Sequence, residues 1–427
     1  MNSFRWISIS VLLLAFGCSR PSSVSHGPFV AHVTPRNVAI WARFSRQGPV
    51  VLSVFESDDS LVASATETAS ENSDYCVLWN ISNLEPGRKY RYTARPASET
   101  AVHGEGGVFS TPPVPEARRK VKIAFGSCAN TRRFPKQRIW SEIEKEEADT
   151  VVLLGDTPYI DSTRLKEQRR KYREFYSLPG LKSLFRHTPF YGVWDDHDFG
   201  KDDSDGFLKG KESSRQAFIE YHGNPSYGDG REGVYCRFRR GPVEVFLLDT
   251  RWFANTEPSP FDKDKPSLLG KTQWNWLFDS LKTSEAPFKI LACGIVWDDA
   301  VGNKHDHWFA YRYELDALFR FLGENRISGV VLVGGDIHRS RVFKHPTKGV
   351  VGYDLFEFDA SPLANKCHTA VPSTVTETLF DVGEEESFLM LTGDSEQEPA
   401  SLTAEFFAPG NRKLYSTVLD ASSLSPG

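Results

Sequence analysis

The chain has 427 residues, 40% hydrophobic and 25% charged, with a formal net charge of −5. That length exceeds one ordinary core and predicts two domains, with room for a third. The balance is that of a folded globular protein. The mild acidity gives no basis for non-specific nucleic-acid binding.

At the N-terminus, Arg5 precedes an apolar run from Ile7 to Phe16, broken only by Ser8 and Ser10. The run is too short to span a bilayer and reads as an export signal. Small residues before Cys18 resemble a bacterial lipobox, in which Cys18 is lipidated and becomes the mature N-terminus. A plain secretory signal cleaved near Gly17 or Cys18 is the other reading. Either predicts an exported protein, periplasmic or held at the cell surface by a lipid on Cys18. Residues 1–18 are thus the signal and residues 19–27 a polar tether. The six cysteines show no CxxC spacing, so no zinc ribbon is expected, and their pairing stays open.

Residues 28–113 carry short strand-like runs at 38–44, 50–55, 75–79 and 89–94, separated by Pro/Gly punctuation. This predicts a small antiparallel β-sandwich. The stretch from Leu84 to Tyr92 resembles a late turn and strand of fibronectin type III domains. Nothing in this part gathers catalytic residue types, so it reads as a packing module. Residues 114–120 form a Pro-rich, charged linker.

From residue 121 to 427 the pattern becomes that of an α/β domain. Strands are expected at 121–125, 151–154, 190–194, 243–249, 289–296, 329–334, 351–358 and 402–407. Helices are expected at 136–147, 165–176, 212–222, 271–283 and 311–323. The glutamates after Gly383 read as a solvated turn.

Four of the strands end in chemistry-bearing residues. The first runs into Gly126, Ser127 and Cys128, and the second into Gly155, Asp156 and Tyr159. The third runs into Asp195, Asp196, His197 and Asp198, and the 329–334 strand into Gly335, Asp336 and His338. Ligands collect beyond the carboxyl ends of parallel strands, so these ends are expected on one rim as a dinuclear metal site. Each piece also has a bland reading: a buried small thiol, a turn cap, a solvated acidic loop. The three carboxylates around His197 repel one another, and a cation relieves that repulsion. On an extended strand, Asp336 and His338 face the same way.

Together these motifs resemble the alkaline phosphatase D family of calcineurin-like metallophosphoesterases. Secondary matches are Leu248–Arg251 and the Leu269, Gly270, Gln273, Trp276, Leu277 pattern. The resemblance implies a layered fold of two mixed β-sheets flanked by helices behind the β-sandwich. By relation to purple acid phosphatases, it implies that Cys128, Asp156, Tyr159 and His338 hold one metal, ferric iron. Asp196 and Asp336 then hold a second, calcium or another divalent ion, with Asp156 shared. His197 serves the reacting phosphate or leaving oxygen. Asp195 and Asp198 are further ligands or supports. Trp308 and Tyr311 resemble the family's lid, with His305 and His307 as candidate substrate contacts. The family's twin-arginine signal and a usual metal histidine near Cys293 are missing here.

The implied activity is hydrolysis of phosphate mono- or diesters by a metal-held hydroxide. A phospholipase D-like diesterase acting on lipid head groups is the alternative. A surface binding protein with a degenerate enzyme domain is the reading from another class. Substrate identity and oligomeric state are not legible at this level.

Overall fold

The computed structural model describes residues 22–99, 104–297, 306–369 and 377–427. Cys18 and His305 lie outside these residues.

The first unit contains β1 (Val24–Val33), β2 (Val38–Phe44), β3 (Gly48–Phe55), β4 (Leu61–Ala69), β5 (Cys76–Ile81), β6 (Lys89–Pro96) and β7 (Glu105–Ser110). They form two antiparallel sheets, β1-β2-β5 and β4-β3-β6-β7. Alternation places Val50, Leu52 and Val54 inward, where they meet Ile40, Trp79, Tyr92 and Phe109. This is the small β-sandwich. Three of its strands were not legible in advance. The edge strand β4 is mostly exposed and built from Ala, Ser and Thr, so it carries little apolar signal. β7 is rich in glycine. β1 starts at Val24, inside the stretch expected to be a tether.

The remainder contains β8 (Lys120–Gly126), β9 (Thr150–Leu154), β10 (Phe190–Val193), β11 (Cys236–Arg240), β12 (Val243–Leu247), β13 (Phe288–Ala292), β14 (Val330–Gly334), β15 (Ser340–His345), β16 (Leu355–Ala360), β17 (Glu377–Val382), β18 (Phe388–Asp394), β19 (Ser401–Ala408) and β20 (Arg412–Asp420). They form two mixed sheets, β10-β9-β8-β18-β19-β20 and β11-β12-β13-β14-β16-β15-β17. Strands β8 to β10 run parallel in the first, as do β12, β13, β14 and β16 in the second. One core joins the sheets: Ile123, Phe125 and Leu391 from one, Val245, Ile290 and Leu332 from the other. Helices α1 (Ile139–Lys145), α2 (Leu165–Tyr176) and α3 (Pro179–Phe185) bury Trp140, Phe175 and Leu181 with Val151 and Leu153. Three further helices are α4 (Asp196–Phe199), α5 (Lys211–Tyr221) and α6 (Gly270–Thr283). The last two are α7 (Arg312–Glu324) and α8 (Lys348–Val351), and α6 and α7 extend the main core.

The strand expected at 351–358 is not continuous. Its first residue ends α8, Gly352 closes that helix at φ +98°, and β16 begins only at Leu355.

Candidate metal centre

All five residues of β9 are buried. A strand covered on both faces has no room for a free carboxylate, so acidic residues appear only where it stops. It stops at Gly155, φ +84°. A Cβ there would lie 2.3 Å from the Asp195 amide nitrogen, so only glycine lets the ends of β9 and β10 touch.

The residues after three of the strand ends, β8, β9 and β14, share one backbone device. Cys128, Asp156, Asp336 and His338 have φ of 61°, 55°, 65° and 54°. Non-glycine residues pay about 1 kcal/mol or more for this conformation and hold it only where surroundings impose it. For Asp336 and His338 this corrects the expected extension of a strand. The two side chains converge through left-handed turns instead. The four ends also come from two sheets, β8 to β10 in one and β14 in the other, rather than from the rim of a single parallel sheet.

Ligand atoms of Cys128, Asp156 and His338 lie within 4.8 Å of one another. The same holds for Asp156, Asp195 and Asp336, for Asp156, Asp196 and His197, and for Asp196, Asp202 and Asp203. Asp156 belongs to three of these groups. The Cys128 Sγ lies 3.6 Å from Asp156 Oδ2, and the Tyr159 hydroxyl 2.8 Å from His338 Nε2. His338 Nδ1 is 2.7 Å from the Lys366 carbonyl, which turns Nε2 toward Tyr159.

The electrostatics describe an excess of buried negative charge. Burial, then the neighbouring Asp196 and Asp195 carboxylates, push the Asp156 carboxyl well above its usual range. Burial does the same to the Cys128 thiol and the Tyr159 phenol, and Asp156 adds to both. Asp195 Oδ2 and Asp196 Oδ1 are buried without a hydrogen-bond partner among the described residues. Buried polar atoms normally find partners, and thiolate, phenolate, imidazole and carboxylate donors are those metals take. The residues fit a metal pair.

His197 donates its backbone N–H to Asp156 Oδ1 at 3.3 Å, and its Nδ1 is 2.5 Å from Asp161 Oδ1. Burial pulls its pKa down, but Asp161 and Asp196 outweigh that and raise it. Asp161 escaped the sequence reading; it sits at φ 58°, two residues past Tyr159.

Asp198 does not join the ligating groups among the described residues. It accepts the Asp195 N–H at 2.6 Å in a reciprocal cap of α4, and burial pushes its carboxyl up to about 7. Asp195 differs, because its Oδ1 meets the buried Arg251, whose Nε donates at 2.7 Å. Arg251 also pairs with Asp306 at 2.7 Å. The signal for Arg251 was the Leu248–Arg251 match. Asp249 there accepts from Trp194 Nε1, Val234, Arg251 and Trp252, while Gln273 brackets it at 2.8 Å on both sides. Both secondary motifs therefore hold the turn that aims Arg251 at Asp195.

The lid expectation needs correcting. Trp308 is fully buried in the core, stacked on Trp297 at 4.4 Å. His307 is buried too. Tyr311 bonds Asn255 Oδ1 at 2.8 Å and lines a 740 Å³ cavity beside Arg251. Cys76, Cys128, Cys236, Cys293 and Cys367 form no disulfide among the described residues.

The profile of the PhoD-like phosphatases matches residues 123–387. The chain belongs to the PhoD-like phosphatase family. Alkaline phosphatase D of Bacillus subtilis (strain 168) is 24% identical over 332 residues, which cover 66% of this chain and 56% of the relative. The chain thus aligns with little more than half of that relative's length. A solved structure of PhoD superposes with a TM-score of 0.75 at 19% identity, over 93% of this chain and 89% of that one. Purple acid phosphatase PPD1 from yellow lupin seeds gives 0.69 at 12% identity, over 92% and 74%. At these identities the two structures establish a common fold.

Proposed function

We propose that the chain is a metal-dependent phosphoesterase. The observation that carries this reading is the position of Asp156, shared by three groups of potential ligands drawn from two sheets. Cys128, Asp156, Tyr159 and His338 are the proposed ligands of one ion, and Asp156, Asp196 and Asp336 of a second, with Asp195 beside it. Thiolate and phenolate donors suit ferric iron; an all-oxygen set suits calcium or another divalent ion. When bound, such ions supply Lewis acidity toward phosphate oxygens and toward water.

The chain's own residues do the positioning. Asp161 holds the His197 ring by Nδ1, and Nε2, 3.5 Å from the exposed Asp202 carboxylate, is the proton donor to the departing alcohol oxygen. Arg251 fixes one oxygen of Asp195 and so orients the other. Ser127 is spent on the Ala360 carbonyl at 3.1 Å and is not needed as a nucleophile.

The test is mutational and analytical. Cys128→Ala and Asp156→Asn each lose hydrolysis of bis(4-nitrophenyl) phosphate by at least about 100-fold. Cys128→Ala also loses the visible absorption expected of iron-bound thiolate, along with the iron. Full activity in either folded variant overturns the assignment.

The run ending at Cys18 supports export and lipid anchoring as a further part of this reading. Radiolabelled palmitate in the wild type, absent from Cys18→Ser, is the expected result.

A further inference from the structure

A cleft of about 580 Å³ opens over Tyr159, His197 and His338. Arg132, Arg133, Lys171 and Lys366 also line it. Asp161 is the carboxylate of this lining, and His197 engages it. The four cations come from three separate segments: the turn after Cys128, the middle of α2, and the loop after β16. None of the four makes an ion pair among the described residues, and Arg132, Arg133 and Lys366 are exposed. Lys366 is tied to the site by its backbone, since its carbonyl receives His338 Nδ1.

This concentration is not typical of the chain, whose net charge is −5. It is also more than one phosphate requires. A diester carries one negative charge and a monoester at most about two, and in the proposed site the metals meet that charge. Four side-chain cations remain, aimed into the same cleft.

We propose that the cleft binds a second anionic group of the substrate, so that the preferred substrates are phosphate esters carrying another phosphate. The inference rests on the phosphoesterase reading and adds the substrate class to it. Arg132 and Arg133 take the second phosphate by charge-assisted hydrogen bonds, with Lys171 and Lys366 raising the local potential.

Two chromogenic diesters decide it, because they share a leaving group and differ by one phosphate: thymidine 5′-(4-nitrophenyl phosphate) and its 3′-phosphorylated form. At low ionic strength kcat/KM is expected to favour the 3′-phosphorylated ester by about tenfold. The ratio is expected to fall toward one in the folded Arg132→Gln/Arg133→Gln double variant. Equal kcat/KM for the two esters in the wild type overturns the proposal, as does an unchanged ratio in the double variant. If neither ester is hydrolysed, the phosphoesterase reading fails, and the cleft is then judged by calorimetry. Tighter binding of fructose 1,6-bisphosphate than of fructose 6-phosphate, weakened in the double variant, supports the anion site; equal affinities overturn it.

Discussion

At the scale of single residues, the site works by opposing burial with specific partners. His197 keeps its orientation through Asp161, an exposed carboxylate outside the proposed ligand set. Asp161→Asn should lower kcat by about tenfold with metal content intact; an unchanged kcat would show that the ring is held some other way. A histidine far from the chemistry illustrates the reverse balance. His222 is fully buried, stacked on Phe218 at 3.9 Å, with Nδ1 donating to the Phe218 carbonyl at 3.0 Å. Burial lowers its pKa to about 4, below the ordinary value of about 6.5. The unfolded chain therefore takes up this proton first as pH falls. Stability from His222 is complete above about pH 6.5 and is lost as pH drops toward 4. Urea midpoints should fall over that window, and His222→Phe should flatten the slope by one proton. An identical slope in the variant would assign the acid sensitivity to other groups.

At the scale of elements, the decisive features are the places where strands stop. The apolar runs of β9 and β14 were legible because buried parallel strands are continuous blocks of Val, Ile and Leu, and those of β8 and β10 through their aromatic and β-branched residues. The glycines and acids beyond them were legible as residue types, while the left-handed turns at Cys128, Asp156, Asp336 and His338 were not. What each acid does there was not. Asp195, Asp196 and Asp198 look equivalent in sequence, yet one pairs with Arg251, one faces Asp156, and one caps α4. Gly155 shows how tightly the ends are pressed together. Gly155→Ala places a Cβ against Asp195 at a positive φ. It should cost more than about 1 kcal/mol and reduce bound metal, read by urea titration with metal analysis. Wild-type stability and metal content would mean that the β9 and β10 ends can separate freely.

At the scale of the whole molecule, the sandwich is welded to the two mixed sheets rather than hung from a linker. Phe29 and Trp41 turn away from the sandwich core and pack on Tyr176, Phe185 and Phe190. Trp41 Nε1 donates to the Glu220 carbonyl at 2.8 Å. Tyr191 lies 2.9 Å from His32 Nδ1 and receives Arg240 Nη2 at 2.8 Å; Arg240 also reaches the Val33 carbonyl. Losing a buried tryptophan costs about 3–5 kcal/mol, so Trp41→Ala should lower stability by that order in chemical denaturation. A single shared transition in wild type should accompany it; a separate early transition of the sandwich alone would contradict the weld.

The sequence alone determined the most apolar strands and which residue types stand at their ends, because both follow from local periodicity and from short apolar blocks. It also carried the family resemblance, through short motifs read in order. Only the tertiary structure decided that two sheets supply the centre, that Arg251 closes it from behind, that Trp308 belongs to the core, and that four cations share one cleft. Those outcomes depend on contacts between residues far apart in the chain, and no local pattern specifies which distant charges will meet.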